Sequence, residues 1–428
     1  MWRLSYRTFG AVSATWLWMT RRFTGAGFLA LGTLVTAGAL GIDTNQTLAY
    51  QIFTFLFALI AAALLAGLLL RPQFQVARVL PRMITAGQAF DYRVLVKNLG
   101  TRPADGLTLL EDLRDPRPSF AEFRAAQRFP TYRGWWRLAM RNQVAHIDEC
   151  ALPALAPRAE AEVRVRGLAY RRGTLLLEGA TVARADPLGL IRSLARTALP
   201  DKLIVLPRRY SLPRLTLPGA RRYQHGGVTL ASSVGESEEF MSLRDYRPGD
   251  PLQRIHWKSY ARSGKPVVKE YQDEFFERHA LVLDTFTGRD GARFEEAVSL
   301  AASFACTLDT QESLLDLIFL GTESYCYTAG RGQMQPGSLL EILAGVRASG
   351  DRAFHRLHDA VLARRAALSG CILILLGWDE PRQALVRALQ QGGLPLKVLV
   401  VSERDIEVAP GWLHVLAPGK IQEGLARL

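Results

Sequence analysis

The chain has 428 residues, of which 49% are hydrophobic and 22% charged, and its formal net charge is +13. That length suits two or three domains. A basic balance fits nucleic acid, an anionic membrane surface or the cytoplasmic flanks of membrane helices. Zinc-finger spacing, RNA-binding aromatic motifs and an arginine-rich low-complexity tail are all missing, which argues against nucleic acid. Cys150, Cys306, Cys326 and Cys371 are scattered with no C-x-x-C pair, as expected in a reducing compartment. Cys306 and Cys371 fall inside apolar helix and strand patterns, where a thiol acts as a small hydrophobe.

Residues 1–22 form a basic segment with Arg3, Arg7, Arg21 and Arg22. Residues 23–70 then hold two uncharged runs, Phe23 to Ile42 and Leu48 to Leu70, separated by Asp43-Thr44-Asn45-Gln46-Thr47. Each run suits one bilayer crossing, so a transmembrane helical hairpin is expected. A cleavable signal peptide does not fit, because the first run starts late and a second follows at once. Arginines flank the pair on the outside, with Arg71, Arg78 and Arg82 after the second run, whereas the connecting loop has none. The positive-inside rule therefore puts both ends and all later domains in the cytoplasm, with the chain in the inner (plasma) membrane. Trp16 and Trp18 sit where an interfacial anchor belongs.

From 76 to 206 the pattern becomes β. Alternation at Tyr92–Lys97 and Ala161–Gly167, with short apolar strands at Thr174–Leu177 and Leu203–Leu206, predicts a β-sandwich-like domain. Phe120 to Met140, rich in aromatics and arginine, fits either a helix lying on the membrane or an insertion packed on the sandwich. Residues 207–234 hold Pro207, Pro213, Pro218 and five arginines and read as a linker.

Residues 235–274 carry the densest mixture of charge, aromatics and turn residues. Asp250 suits an N-cap, Pro251 the first helical position, Gln253 a capping-box partner and Gly264 the stop. On such a helix Arg254, Lys258 and Arg262 form one basic stripe, and like charges at that spacing repel. An acidic surface is therefore expected opposite, drawn from Glu236, Glu238, Glu239 and Asp245 before it or Glu270, Asp273 and Glu274 after it. The segment reads either as an ion-pair clamp between domains or as a face that a partner binds.

After 275 strands and helices alternate. Strands are expected at His279–Asp284, Leu315–Leu320, Tyr325–Thr328, Cys371–Leu376 and Leu396–Val401. Helices are expected at Arg293–Leu308, Arg352–Leu368 and Pro381–Gln390. The pattern predicts a doubly wound α/β domain over 275–428, with ligand positions at the carboxyl ends of strands, at Asp284 and Asp379.

The motif residues Phe240, Leu243-Arg244-Asp245-Tyr246, Pro248-Gly249-Asp250, Arg254-Ile255-His256-Trp257, Ala261-Arg262 and Glu270 resemble the bacterial domain of unknown function 58 family. Tyr170-Arg171-Arg172-Gly173 and Asp186-Pro187-Leu188-Gly189-Leu190 resemble it too. The resemblance implies a von Willebrand factor type A-like C-terminal domain. It also implies partnership with a MoxR-type AAA+ ATPase and association with membrane transglutaminase-like proteins. Type A domains hold Mg²⁺ with an Asp-x-Ser-x-Ser loop, and hard cations want such oxygens. Here the loop is Asp284-Thr285-Phe286-Thr287-Gly288, with both serines replaced and the threonines out of register. Asp379 stands in for the distant aspartate, so a degenerate metal site is expected.

Three functions follow. The first is a membrane-anchored adaptor that docks a partner through Arg244, Asp245, Tyr246, Gly249, Asp250, Arg254, His256, Trp257, Lys258, Arg262 and Glu270. No Walker A sequence is present, so the chain would not supply the ATPase itself. The second is an enzyme using Asp245, Asp250 and His256 in acid–base roles, for which no nucleophile context is seen. The third is anionic lipid or nucleic-acid binding through the arginine-rich linker.

Overall fold

A computed structural model of the chain describes residues 1–40, 47–69, 73–213, 240–250, 252–271, 277–287, 291–307, 313–321, 324–329, 336–350, 354–403, 410 and 412–426. Two units emerge, Met1–Arg208 with Leu343–Gly345, and Arg209–Ile342 with Val346–Leu428.

The first unit begins with three helices, α1 (Trp2–Arg22), α2 (Gly25–Leu40) and α3 (Thr47–Leu69). Within α3, Leu48–Gly67 is long and apolar enough to cross a membrane, and α2 is a shorter apolar helix. At about 1.5 Å per residue α2 spans roughly 24 Å, short of a hydrocarbon core of about 30 Å. It starts at Gly25 rather than Phe23 because Phe23 leaves the helix to bridge Ile191. The Thr24 hydroxyl donates to the Gly189 carbonyl at 2.5 Å and accepts from the Gly27 N–H at 3.0 Å, capping α2. Residues 41–46 and 70–72 lie outside the described residues, including most of the polar loop and Arg71.

The β region has β1 (Phe74–Val79), β2 (Met83–Thr85), β3 (Ala89–Asn98) and β4 (Leu107–Leu113). Two helices follow, α4 (Phe120–Ala126) and α5 (Tyr132–Asn142). The strands resume as β5 (Ala145–Ile147), β6 (Cys150–Ala151), β7 (Glu160–Ala169), β8 (Gly173–Ala185) and β9 (Arg192–Leu206). They form sheets of order β1-β3-β7-β5 and β2-β9-β8-β4-β6. Inward residues such as Val94, Val96, Leu109, Val165, Val182 and Val205 share one core. Period-2 alternation along β3 fixes which side chains enter it.

Two polar features hold this unit together. The Arg78 side chain on β1 is fully buried and bonds Glu111 at 3.1 Å, Asp201 at 2.9 Å and the carbonyls of Gly179 and Leu199 at 2.7 and 3.0 Å. Burial pushes the Glu111 carboxyl up, and the Arg78 guanidinium opposes that rise. In the β8–β9 turn, Asp186 accepts from the N–H groups of Leu188 and Ile191, each at 2.6 Å. That turn presents Leu190 and Ile191 to a small core with Ala30, Ile60 and Ala63 of α2 and α3. The Asp186–Leu190 motif is thus the seat of the apolar helices.

The second unit opens with β10 (Phe240–Asp245), α6 (Trp257–Ser263) and β11 (Val267–Tyr271). Then come β12 (Glu277–Leu283), α7 (Gly291–Thr307), β13 (Ser313–Leu320), β14 (Ser324–Ala329), α8 (Pro336–Gly345) and α9 (Phe354–Leu362). The chain continues through β15 (Gly370–Leu375), α10 (Glu380–Gln391), β16 (Leu396–Val401), β17 (Leu413–Leu416) and α11 (Ile421–Leu425). Six strands lie in the order β14-β13-β12-β15-β16-β17. All neighbours are parallel except β13 and β14. Only residues 321–323 join those two, too few for a crossover, so they pair antiparallel. Strand order reverses between β12 and β15, which makes their carboxyl ends the switch point of the sheet. Cys371 on β15 is buried, and burial pushes its thiol up to about 12. Cys306, expected inside, is exposed near the end of α7.

Candidate functional site

Two places in the second unit gather the candidate residues, and they differ in kind. The first is the motif segment. β10 and β11 pair antiparallel, with Arg244 opposite Val268 and Asp245 opposite Val267. Between them Arg247-Pro248-Gly249-Asp250 closes a turn through Asp250 N–H to the Arg247 carbonyl at 3.0 Å. Pro248 presets its φ, and Gly249 adopts φ 107°, which a Cβ would disfavour. Arg244 grips the Asp250 carboxylate with both terminal nitrogens, each at 2.7 Å, and Arg247 N–H adds a third bond at 2.8 Å. The Arg244 guanidinium, with the Arg247 N–H, holds the Asp250 carboxyl down to about 2. Tyr246 N–H donates to the Pro266 carbonyl at 3.0 Å.

The continuous helix expected from Asp250 to Gly264 is not formed. Leu252–Arg254 make a single 3₁₀ turn, and Ile255 leaves it to bridge Val268 on β11. Both of those apolar residues are buried, and that burial wins over helix continuity. α6 restarts with His256 at its N-cap, and its end at Gly264 is as expected, with φ 65° and N–H to the Tyr260 carbonyl at 2.9 Å. Asp250 therefore caps a turn rather than a helix. Lys258 and Arg262 share α6, whereas Arg254 belongs to the preceding turn, so the three do not share one helix. Among the described residues neither Lys258 nor Arg262 has an acidic partner. Glu236, Glu238, Glu239, Pro251, Asp273, Glu274 and the side chains of Arg254 and Glu270 lie outside the described residues.

His256 Nδ1 lies 2.7 Å from the Ser259 hydroxyl, one turn along α6. No hydrogen bond joins His256 to Asp245 or Asp250 among the described residues, so the three acid–base candidates are not assembled into a relay. What the segment does present is apolar surface. Trp257 is 61% exposed and meets Tyr260 edge to face at 6.0 Å, with Leu252 exposed nearby in sequence. Lys258 and Arg262 are exposed on the same short helix.

The second place is the switch point. Asp284 follows β12 and is completely buried. It accepts from the N–H groups of Phe286 and Leu376, each at 2.9 Å, and from Arg382 Nε at 2.6 Å. Asp379 is the N-cap of α10 and takes the other arm of Arg382 at 2.6 Å. The third guanidinium nitrogen donates to the Phe286 carbonyl at 3.0 Å, and the guanidinium lies 5.1 Å from the Phe354 ring. Burial pushes the Asp284 carboxyl up, while the guanidinium and the two backbone N–H groups pull it back. Thr285, also fully buried, turns its hydroxyl away to the Leu320 carbonyl at 2.5 Å.

Asp284 and Asp379 are joined through an arginine. This donor set does not fit a divalent cation, because a fixed positive charge already bridges both carboxylates. Arg382 was not singled out in the sequence. Its signal is the spacing Asp379-x-x-Arg382, which puts the arginine one turn inside a helix capped by that aspartate.

Comparison with known proteins agrees in extent with the second unit. The model of the family described as "Protein of unknown function DUF58" matches residues 242–416, from β10 through β17. The uncharacterized protein YeaD of Bacillus subtilis (strain 168) is 25% identical over 240 residues, which is 56% of this chain and 58% of that protein. The chain therefore spans less than two thirds of that relative. Among solved structures, the CARDB domain of a Pyrococcus furiosus protein is 15% identical, covering 32% of this chain and 90% of that one, with a TM-score of 0.18. A mutant Salmonella alpha-2-macroglobulin is also 15% identical, covering 34% of this chain and 8% of that one, with a TM-score of 0.20. Likenesses of that size carry no inference for this chain.

Proposed function

We propose that the chain is a membrane-anchored adaptor, held by α2 and α3, whose second unit is a von Willebrand factor type A-like docking module facing the cytoplasm. The observation that carries the docking reading is the exposed pair Trp257 and Tyr260 on α6, beside Lys258 and Arg262. Aromatics flanked by cations are the composition of binding hot spots. His256 N–H to the Val267 carbonyl at 2.8 Å ties the start of this helix to β11, leaving both aromatics exposed. Supporting the reading from the other side, the switch point, where a ligand of the sheet would bind, is filled by Arg382.

The membrane part rests on the apolar α3, on the shorter α2 packed against it, and on the arginines that flank the pair. The partner suggested by the family resemblance is a MoxR-type AAA+ ATPase. A membrane transglutaminase-like protein is a further associate on the same grounds. The surface fits an acidic patch with an apolar pocket. The test uses full-length chain in lipid nanodiscs and a purified MoxR-type ATPase from the same organism. Wild type should bind, and Trp257→Ala with Tyr260→Ala should weaken binding at least about tenfold, the scale of a hot-spot truncation. Equal affinity of variant and wild type, or no binding by either, counts against the proposal.

A further inference from the structure

In sequence, residues 1–22 read only as a basic segment and 120–140 as either a membrane helix or a packed insertion. They form one body. Tyr6, Phe9 and Trp2 of α1 pack edge to face on Phe123 and Trp135 of α4 and α5, with ring centroids 5.2–6.4 Å apart. Trp135 Nε1 donates to the Ser13 hydroxyl at 3.0 Å, and the Tyr6 hydroxyl donates to the Pro118 carbonyl at 3.2 Å. The inner faces are thereby used up, and each helix turns a second face outward.

Those outward faces are amphipathic. On α1 Val12 and Trp16 lie on one side and Trp18, two residues on, on the opposite one, with Trp16 58% exposed. On α5 the outward face carries Trp136, 48% exposed, and Met140, with Phe129 exposed just before the helix. Beside Trp136 on α5 runs a stripe of Arg133, Arg137 and Arg141, all exposed and spaced four apart. Across residues 1–22 and 119–142 the sequence holds nine arginines and one acidic residue, Glu122. Arginine stripes bordering tryptophan suit the headgroup layer of an anionic bilayer, where the ring lies at the acyl boundary and the guanidinium reaches phosphate.

The position is also continuous with the apolar helices. α1 runs into α2 through Phe23 and Thr24, and Trp16 lies 6.2 Å from Phe28 of α2, ring to ring. We infer that α1 and α5 form a collar that lies in the headgroup layer around the base of α2 and α3 and binds anionic phospholipid. The inference rests on the membrane reading of α2 and α3.

The test keeps the two readings apart. The full chain is placed in nanodiscs of phosphatidylethanolamine and phosphatidylglycerol containing a phospholipid with a diazirine near the glycerol end of its acyl chain. Irradiation followed by peptide mass spectrometry should give lipid adducts in 1–22 and 129–141 as well as in α2 and α3. Replacing phosphatidylglycerol with phosphatidylcholine should lower the yield in the collar several-fold and leave that in α2 and α3 unchanged. Arg133→Gln with Arg137→Gln should do the same on α5 alone. Adducts confined to α2 and α3 overturn the collar in favour of a protein occupant, and a collar yield indifferent to phosphatidylglycerol overturns the anionic preference. No adducts in α2 or α3 overturn the membrane reading and the collar with it.

Discussion

Arg244 and Arg382 each hold an aspartate with short bonds, at 2.7 and 2.6 Å, and each aspartate also accepts backbone N–H groups. They differ in surroundings. The Arg244 side chain is 33% exposed and Asp250 15%, whereas Arg382 is 11% exposed and Asp284 not at all. The same chemistry therefore has two uses. Near the surface, water offers either partner an alternative, so the pair shapes a turn and contributes little to stability. At the switch point neither charge has an alternative, so the pair closes the place where a ligand of the sheet would sit.

Burial as the deciding variable is tested first where it is most complete. Arg78→Met leaves Glu111 stranded in the sandwich core together with two carbonyls, and it should cost about 4–5 kcal/mol, the upper range for breaking a buried pair. Arg382→Ala should cost less, about 3 kcal/mol, since Asp284 keeps two backbone donors. Denaturant unfolding in detergent reads both, with Trp378 and Trp412, 6.2 Å apart, as fluorophores near the second site. Pairing Arg382→Leu with Asp284→Leu should recover much of the loss, because no buried charge is then left alone and Asp379 is open to water. A cost below about 1 kcal/mol for Arg382→Ala would mean that the site is wetter than its burial indicates, and the contrast with Arg244 would fail.

The legibility of these two places in the sequence differs for physical reasons. The sheet was readable because a buried parallel strand is an apolar run, as in Cys371–Leu376 and Leu396–Val401. It is unreadable where elements are short, as in β17 and α8, which hold too few residues to display a period. Asp284 and Asp379 could be placed at strand ends by alternation alone. Arg382 could not, because which cation meets them depends on the rotation of α10. In the motif segment the turn residues are legible, yet the local signals predict a longer helix than forms. Helix signals at Asp250 and Pro251 are local, whereas Ile255 is taken by Val268, twelve or more residues on. The packing role of α1 is not legible because its arginines mask an aromatic face whose partner lies more than a hundred residues away.

The contrast sharpens at the exposed helix. Trp257→Ala with Tyr260→Ala should change stability by less than about 0.5 kcal/mol, as surface substitutions do, while weakening the binding as described above. Thermal unfolding of the two proteins side by side checks this. A large loss of stability would reassign the pair to internal packing.

The smallest effect is the pH dependence of the motif turn. The Asp250 carboxyl is held at about 2 against an ordinary value of 3.8, by Arg244 first and the Arg247 N–H next. A carboxyl depressed on folding contributes stability that is complete above its unfolded value and disappears as pH falls through its folded value. The window therefore runs from about pH 4 down to about pH 2. Hydrogen exchange of residues 240–271 should quicken through it in wild type, after correction for the intrinsic rate. Asp250→Asn should exchange faster than wild type at pH 6 and approach it only as pH falls below about 2, where both are neutral at that position. Asp284 has the opposite sign. Its carboxyl is pushed up by burial, so its own term is complete below the ordinary aspartate value and declines as pH rises through the folded value. Two aspartates bound to two arginines should thus titrate in opposite senses. Parallel pH responses at 240–271 and at the switch point would show that burial does not separate them.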